Sequence, residues 1–185
     1  MTHTVRKVLP LEYHKYRSHL KALDPESKFL RFGYHISDEM IDHLCDSVEQ
    51  DPEHHVLFCV ENDCLEFEAV GHIALKDGME LAFSVLKRSQ GLGMGNALMK
   101  RCIQHCRTRG ILKGCMVCLS SNATIRHLCV KYGIHIHNDH GETLADVELD
   151  HPNITTYVAE ATDANIAAMD YLGKRMRRPW TFKPE

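Results

Sequence analysis

Two neighbouring features of the chain carry residue types that can do chemistry. The stretch Ser84–Lys100, SVLKRSQGLGMGNALMK, sets Gly91, Gly93 and Gly95 on alternate positions between a strand-like run and a helix-like run. Glycine costs conformational entropy, so three in five residues ask for bare backbone at that point. A helix N-terminus offers unpaired N–H groups and a partial positive charge, and glycines ahead of it let a phosphate approach them. Gln90, Gly91, Leu92, Gly93, Met94 and Gly95 are therefore a candidate pyrophosphate cradle. The plainer alternative is a turn that needs glycine only for its dihedrals. The second feature is the strand leading in. Met79, Leu81, Phe83 and Val85 share one apolar face, and Glu80, Ala82 and Ser84 share the other. Small side chains leave room for a ligand along the strand, with Glu80 near its far end. An exposed face with an incidental surface glutamate fits the same alternation.

The spacing narrows the nucleotide. A dinucleotide fold wants G-x-G-x-x-G after its first strand and an acid at the end of the next. Here the glycines fall at i, i+2 and i+4, and the following strand ends in Ser120-Ser121. A P-loop wants G-x-x-x-x-G-K-[ST], and no lysine follows at that spacing. Both readings fail.

The elements that must position these residues are legible from period and punctuation. Thr4 to Leu9 reads as a short strand, Leu11 to Leu23 as a helix, and Asp24-Pro25 as the cap and first turn of another. Ser37 caps a third helix with acids in its first turn. The period then changes to two. His55–Val60, Phe67–Leu75 and Met79–Leu86 read as strands joined by short turns, an antiparallel meander. After the glycines, Leu98, Met99, Cys102 and Cys106 repeat at helical spacing, and Gly110 stops that helix. Cys115–Leu119 is a strand, Asn122 caps a helix ended by Gly133, and Thr143–Leu149 is a last strand. His135 to His140, HIHNDH, has Asn-Asp in its middle and reads as a hairpin turn. Thr162–Arg175 is a terminal helix, followed by the basic and aromatic RMRRPWTF. The fold class is α/β (α+β): a single domain over residues 1–150, with a C-terminal helical extension over 151–185 packed on it.

Composition sets outer bounds. A chain of 185 residues, 44% hydrophobic and 25% charged, can bury a proper core. A net charge of -3 argues against a wholesale nucleic-acid binder. No apolar run approaches the ~20 residues that cross a bilayer, and MTHTVRKVLP lacks an apolar signal region, so a cytoplasmic protein without membrane partner is expected. The eight cysteines sit mainly inside apolar runs and read as reduced core residues. A zinc site from Cys102, Cys106, Cys115 and Cys118 is the sharper alternative. It is disfavoured because residues three apart on a strand point to opposite faces, and no metal is expected. Arg31, in FLRF, suits either an anionic acceptor, a cofactor phosphate or a surface ion pair.

The residues match a known pattern. Q90-G-L-G-M-G95 after a strand resembles the Q/R-x-x-G-x-G/A acyl-CoA loop of the GNAT superfamily of acyl-CoA-dependent N-acyltransferases. SSNATIRHLCVKYGI is similar to that family's second cofactor segment, and the element order fits over about Thr4 to Leu149. LDPESKFLRFGYHISDE and MELAFSVLKRSQGLGMG resemble the GNAT domains of protein-lysine acetyltransferases that modify acyl-CoA synthetases, with Glu80 ten residues before Gln90 as in that pattern. The resemblance implies a GNAT-like fold and acetyl-CoA as co-substrate. It implies that Ser84 and Val85 lie along the pantetheine arm, that the amides from Gln90 to Gly95 take the pyrophosphate, and that Asn122 supports the cofactor. Many family members have a tyrosine seven residues after that asparagine, as acid to the departing thiolate; here the position is Cys129. The lysine-acetyltransferase subgroup commonly lacks the tyrosine too. Lys87 stands where proline is frequent.

The chemistry expected is acyl transfer to an amine, on a protein lysine or a small molecule. A lysine-type ammonium, with a pKa of ~10.4, must first lose a proton. Glu80 is the candidate base, acting directly or through water, in a direct transfer without an acyl-enzyme. Cys129 as covalent nucleophile is the alternative mechanism. A GNAT fold that senses acyl-CoA or a metabolite without turnover is the alternative function. The C-terminal helix is a candidate homodimer element.

Overall fold

Side-chain caps begin the helices where the sequence places them. Asp24 accepts from Ser27 N–H at 3.2 Å to start α2, Pro25–Phe32. Ser37 accepts from Met40 N–H to start α3, Asp38–Gln50, and Asn122 from Ile125 N–H to start α5, Ala123–Lys131. Each satisfies an amide that the helix itself leaves unpaired. The computed structural model describes residues 3–119, 121–139 and 142–177, with side chains described at all of these but 117–119, 137–139 and 142–144. The remaining elements are β1 (Arg6–Lys7), α1 (Tyr13–Lys21), β2 (His55–Glu61), β3 (Phe67–Ala74), β4 (Met79–Val85), α4 (Met94–Thr108), β5 (Lys113–Leu119), β6 (His135–Asp139), β7 (Glu142–Glu148) and α6 (Ile154–Arg177).

The strands form one seven-stranded sheet in the order β1-β2-β3-β4-β5-β7-β6. The meander β2–β3–β4 is antiparallel, as its short turns require. β4 and β5 are parallel and pair at two positions, Met79 with Gly114 and Glu80 with Cys115; beyond these they diverge. One sheet face packs Phe58, Ile73 and Leu81 against Leu98, Met99 and Cys102 of α4. The other packs Leu57, Cys59 and Val70 against Tyr16, Leu20, Ile41 and Cys45 of α1 and α3. Cys45, Cys59, Cys102, Cys106 and Cys129 are buried. Two glycines admit close approach. A Cβ on Gly71 would lie 2.9 Å from Cys102 Sγ, and one on Gly114 only 2.2 Å from the Met79 carbonyl oxygen.

Four expectations shift. β1 keeps only Arg6–Lys7 of Thr4–Leu9, because Pro10 cannot extend a ladder and opens a 3-10 turn at Pro10–Glu12. The helix expected from Leu11 begins only at Tyr13, after that turn. HIHNDH is strand as far as Asp139: Asn138 pairs with Thr143 and Asp139 with Glu142. The ladder overrides the local turn propensity of Asn-Asp; residues 140 and 141 lie outside the described residues. The terminal helix starts eight residues early, at Ile154, where Asn153 Oδ1 accepts from Thr156 N–H at 3.0 Å. Part of the RMRRPWTF tail, from residue 178, also lies outside the described residues. No helix among the described residues is long and apolar enough to cross a membrane.

α6 is tied down at two places. Glu160 accepts from Arg101 at 3.1 Å and Arg109 at 2.9 Å, and also from Thr108, all on or just after α4. Fourteen residues on, Lys174 donates to the Glu61 carbonyl at 3.1 Å. Nearby, Tyr171 stacks under Arg6, 4.4 Å from its ring centroid. Arg6 is itself buried between Glu12 and Glu61. Burial alone would raise the Glu160 pKa, but Thr108 and the two arginines hold it at about 2.

Two outcomes are expected. Gly114→Ala should destabilise the protein by about 2–3 kcal/mol in urea unfolding, since the added methyl cannot coexist with the Met79 carbonyl. Glu160→Gln should cost on the order of 2 kcal/mol at pH 7. Glu160 is depressed in the folded state, so its stabilisation is complete above the unfolded carboxyl value and fades as pH falls from about 4.5 toward 2. The gap between wild type and variant should therefore narrow at pH 3.5; a gap that widens would contradict the pairing.

Candidate functional site

The entry to the glycine loop is fixed by Glu68 on β3. Its carbonyl accepts from Leu86 N–H at 2.9 Å. Its carboxylate accepts from Arg88 at 2.7 and 3.0 Å, from Ser89 Oγ and from Asn62. Arg88 holds this carboxyl below the usual carboxylate range in spite of its burial. The chain then makes a 3-10 turn, Lys87–Ser89, and reaches Gln90. The Gln90 amide donates to Ser27 Oγ at 3.0 Å and to the Val85 carbonyl at 3.3 Å. The loop is thus gripped from β3 beneath and from α2 beside it.

Gly91 and Gly93 adopt φ of 75° and 87°, which side chains rarely tolerate. Gly93 serves as N-cap of α4, whose first turn has no side-chain cap. The first intrahelical bond is Ala97 N–H to the Gly93 carbonyl, so the amides of Met94, Gly95 and Asn96 are those a helix start leaves over. The turn and the cradle are one object: two glycines are demanded by dihedrals, while Gly95 keeps ordinary helical geometry and adds no side chain.

The divergence of β4 and β5 opens a cleft of about 340 Å³ beside that helix start. Hydrogen bonding alternates along an antiparallel pair. With Leu86 bonded to Glu68, residues 84 and 82 turn their main-chain groups to β3. Phe83 and Val85 turn theirs toward β5, with which they form no strand pairing; the Gln90 side chain meets the Val85 carbonyl instead. Asn122 and Ile125 at the start of α5 form the opposite wall, and Ser27, Leu30 and Arg31 of α2 form the roof. The cleft runs into a narrow throat between Ala82, Phe83 and Met116, again under Leu30 and Arg31.

The expected site residues distribute unevenly. Val85, Gln90, Gly91, Gly93, Met94, Gly95 and Asn122 all line the cleft. Ser84 borders it, but its hydroxyl is engaged by His19 Nε2 at 2.9 Å beneath α1. The open space is therefore at the edge of β4, between two strands, and not over the Ala82–Ser84 face. Leu92 points its side chain to solvent, 57% exposed. Cys129 is fully buried in the core, one residue past the cleft-lining Leu128. Tyr132 lies apart, its hydroxyl 3.2 Å from Asn96 Oδ1. Glu80 is exposed and opens onto a different hollow, with Asp51, His55 and Asp77, at the last paired position of β4 and β5. Five residues separate it from Val85, roughly 17 Å of strand. The roof from α2 and the anchoring by Glu68 carry no spacing signal in the sequence; the Asp24-Pro25 cap announces a helix without saying where it packs.

The comparisons with known proteins agree with this geometry. The model of the Acetyltransferase (GNAT) family matches residues 20–134. No curated protein matches the sequence. Among solved structures, the GNAT domain of S. lividans PAT superposes with a TM-score of 0.63 at 21% identity, over 78% of this chain and 89% of that one. The protein yncA from Salmonella typhimurium, solved with its cofactor acetyl-CoA, gives 0.59 at 15% identity, over 82% and 96%. The ribosomal-protein-S18-alanine N-acetyltransferase from Escherichia coli gives 0.59 at 13%, also over 82% and 96%. At these identities the structures speak for the fold. The family match covers most of the chain and spans α2, the meander, the glycine loop and the capped α5, and by it the chain belongs to the GNAT acetyltransferase family.

Proposed function

We propose that this protein transfers an acetyl group from acetyl-CoA to an amine, on a protein lysine or a small molecule. One observation supports the donor above others: the glycine loop, the uncapped start of α4 and the outward-facing peptide groups of Phe83 and Val85 wall a single cleft. A pyrophosphate fits amides without side chains in front of them, as from Gln90 through Leu92 to Gly95. An amide-bearing arm fits Val85 lying beside Ser84, and Asn122 borders the far wall. When bound, acetyl-CoA supplies an activated thioester. The protein's part is orientation and proton removal. Holding both partners in place can supply on the order of 7 kcal/mol. Glu80, exposed at the end of the parallel pairing, takes the proton of the incoming ammonium directly or through water. Cys129 is buried in the core and does not line the cleft, which supports direct transfer over an acyl-enzyme.

The second reading, a sensor of acyl-CoA without turnover, draws on the distance between Glu80 and the cleft. Thiol release from acetyl-CoA with a panel of amines and lysine peptides separates the two: tight binding without release for any acceptor would favour the sensor.

Two variants divide the roles. Glu80→Gln should lower kcat about 100-fold and leave the acetyl-CoA Kd unchanged; full turnover at saturating donor would remove Glu80 from the mechanism. Glu68→Ala, which frees Arg88 and Ser89, should weaken acetyl-CoA binding about tenfold in calorimetry with a much smaller change in kcat. An unchanged Kd would show that the loop does not depend on that anchor.

A further inference from the structure

Arg31 is a cation without an anion. It is half-buried on α2 and reaches over both the cleft and its throat. Among the described residues it forms no ion pair, and its one ring contact is with the adjacent Phe32, 4.8 Å from the centroid. The acids nearest in sequence are engaged elsewhere: Asp24 caps α2 through Ser27, and Glu26 pairs with Lys87 at 2.8 Å. Behind Arg31 sits a second unsatisfied group. Tyr16 Oη is completely buried and has no hydrogen-bond partner, although Arg31 stands close enough to lower a phenol pKa that burial raises. His72, edge-on to Tyr16 with ring centroids 5.7 Å apart, is held neutral, pushed down to about 3 by burial first and then by Arg31 and His55. The Tyr16 hydroxyl, beside Arg31, can accept from the guanidinium, but it is neutral, so the positive charge of Arg31 is left without an anion among the described residues. Half-buried charge is costly unless paired.

The throat is where the two reactants would meet on the acetyl-transfer reading, and none of its walls belongs to the glycine loop. A guanidinium fork matches phosphate and carboxylate alike; what favours a carboxylate is place, since the throat that Arg31 covers is lined by none of the glycine loop that would hold the donor's phosphates. We propose that Arg31 is a carboxylate-binding residue at the acyl end of the cleft, so that one of the two groups meeting there carries a carboxylate. It comes either from a dicarboxylic acyl chain on the donor, of the malonyl or succinyl type, or from an amine acceptor bearing its own acid group. The inference rests on the proposed donor and adds the charge of its partner.

Calorimetry on the full chain tests the donor arm without turnover, and acceptor kinetics test the other. CoA, acetyl-CoA, malonyl-CoA and succinyl-CoA are titrated into wild type, Arg31→Gln and Arg31→Lys. If the donor supplies the carboxylate, wild type binds a dicarboxylic thioester about tenfold tighter than acetyl-CoA. Arg31→Gln then erases the preference by weakening the dicarboxylic thioesters about tenfold more than acetyl-CoA, and Arg31→Lys retains part of it. If the acceptor supplies it, wild type shows no donor preference. Amino acids then have an acceptor KM about tenfold below that of their amides, and Arg31→Gln removes the difference. The absence of both preferences overturns the proposal. So does an Arg31→Gln variant that weakens all four ligands alike, CoA included, because the cation would then serve a donor phosphate. Wild type that binds no acyl-CoA at all is a separate result, and it overturns the donor reading itself.

Discussion

The whole arrangement depends on how little of β4 and β5 is paired. Two parallel positions hold the strands together, and they do so where Gly114 passes the Met79 carbonyl with no room for a Cβ. Any Cβ at 114 would push the strands apart at the one place where they must touch. Past Glu80 the strands separate, and β4 keeps its full ladder with β3 only. One edge of a central strand is thereby left open inside the protein. Buried main-chain groups demand partners, so an open edge in the interior is a binding surface by construction. The helices α4 and α5 start at its two sides, which adds more unpaired amides to the same space.

Stability and function draw on different charges. The buried ions at Arg6 and Glu160 are fully paired and fasten α6 to the rest of the domain. The pairing of Glu68 with Arg88 is likewise complete, and its position under the loop turns a structural ion pair into a means of aiming backbone. Arg31 and Glu80 differ from these. Among the described residues each is a charge without an ion pair, beside an opening, one at the throat and one at the outer hollow. Paired charges hold the frame, and on the acetyl-transfer reading these two are left for what binds.

The sequence made the elements legible because most of their boundaries are local chemistry. Asp24, Ser37 and Asn122 are caps in the structure as their side chains predict, and Gly110 and Gly133 take the positive φ that ends a helix. The glycine loop was legible for the same reason. What stayed hidden was decided by neighbours distant in the chain. The strand character of Asn138 and Asp139 comes from pairing with Glu142 and Thr143. The Ala82–Ser84 face looked open because alternation cannot show that His19 lies over it. Cys129 and Leu128 are adjacent letters, yet a helix turns one to the core and the other to the cleft.

On the acetyl-transfer reading, the donor and acceptor ends therefore differ in how they can recognise anything. At the donor end the contacts available are main chain: loop amides, a helix start, and the peptide groups of Phe83 and Val85. Side chains there matter chiefly by being small or absent, so many sequences could hold the same ligand. At the throat and the hollow beyond it the available groups are side chains, Arg31, His55, Glu80 and Asp51, with charges and protons that a single substitution changes. Recognition of the shared ligand can persist while these residues vary, and a choice of partner can change without disturbing the cleft. That division follows from the divergence of two strands, which leaves backbone exposed on one side of Ala82 and side chains on the other.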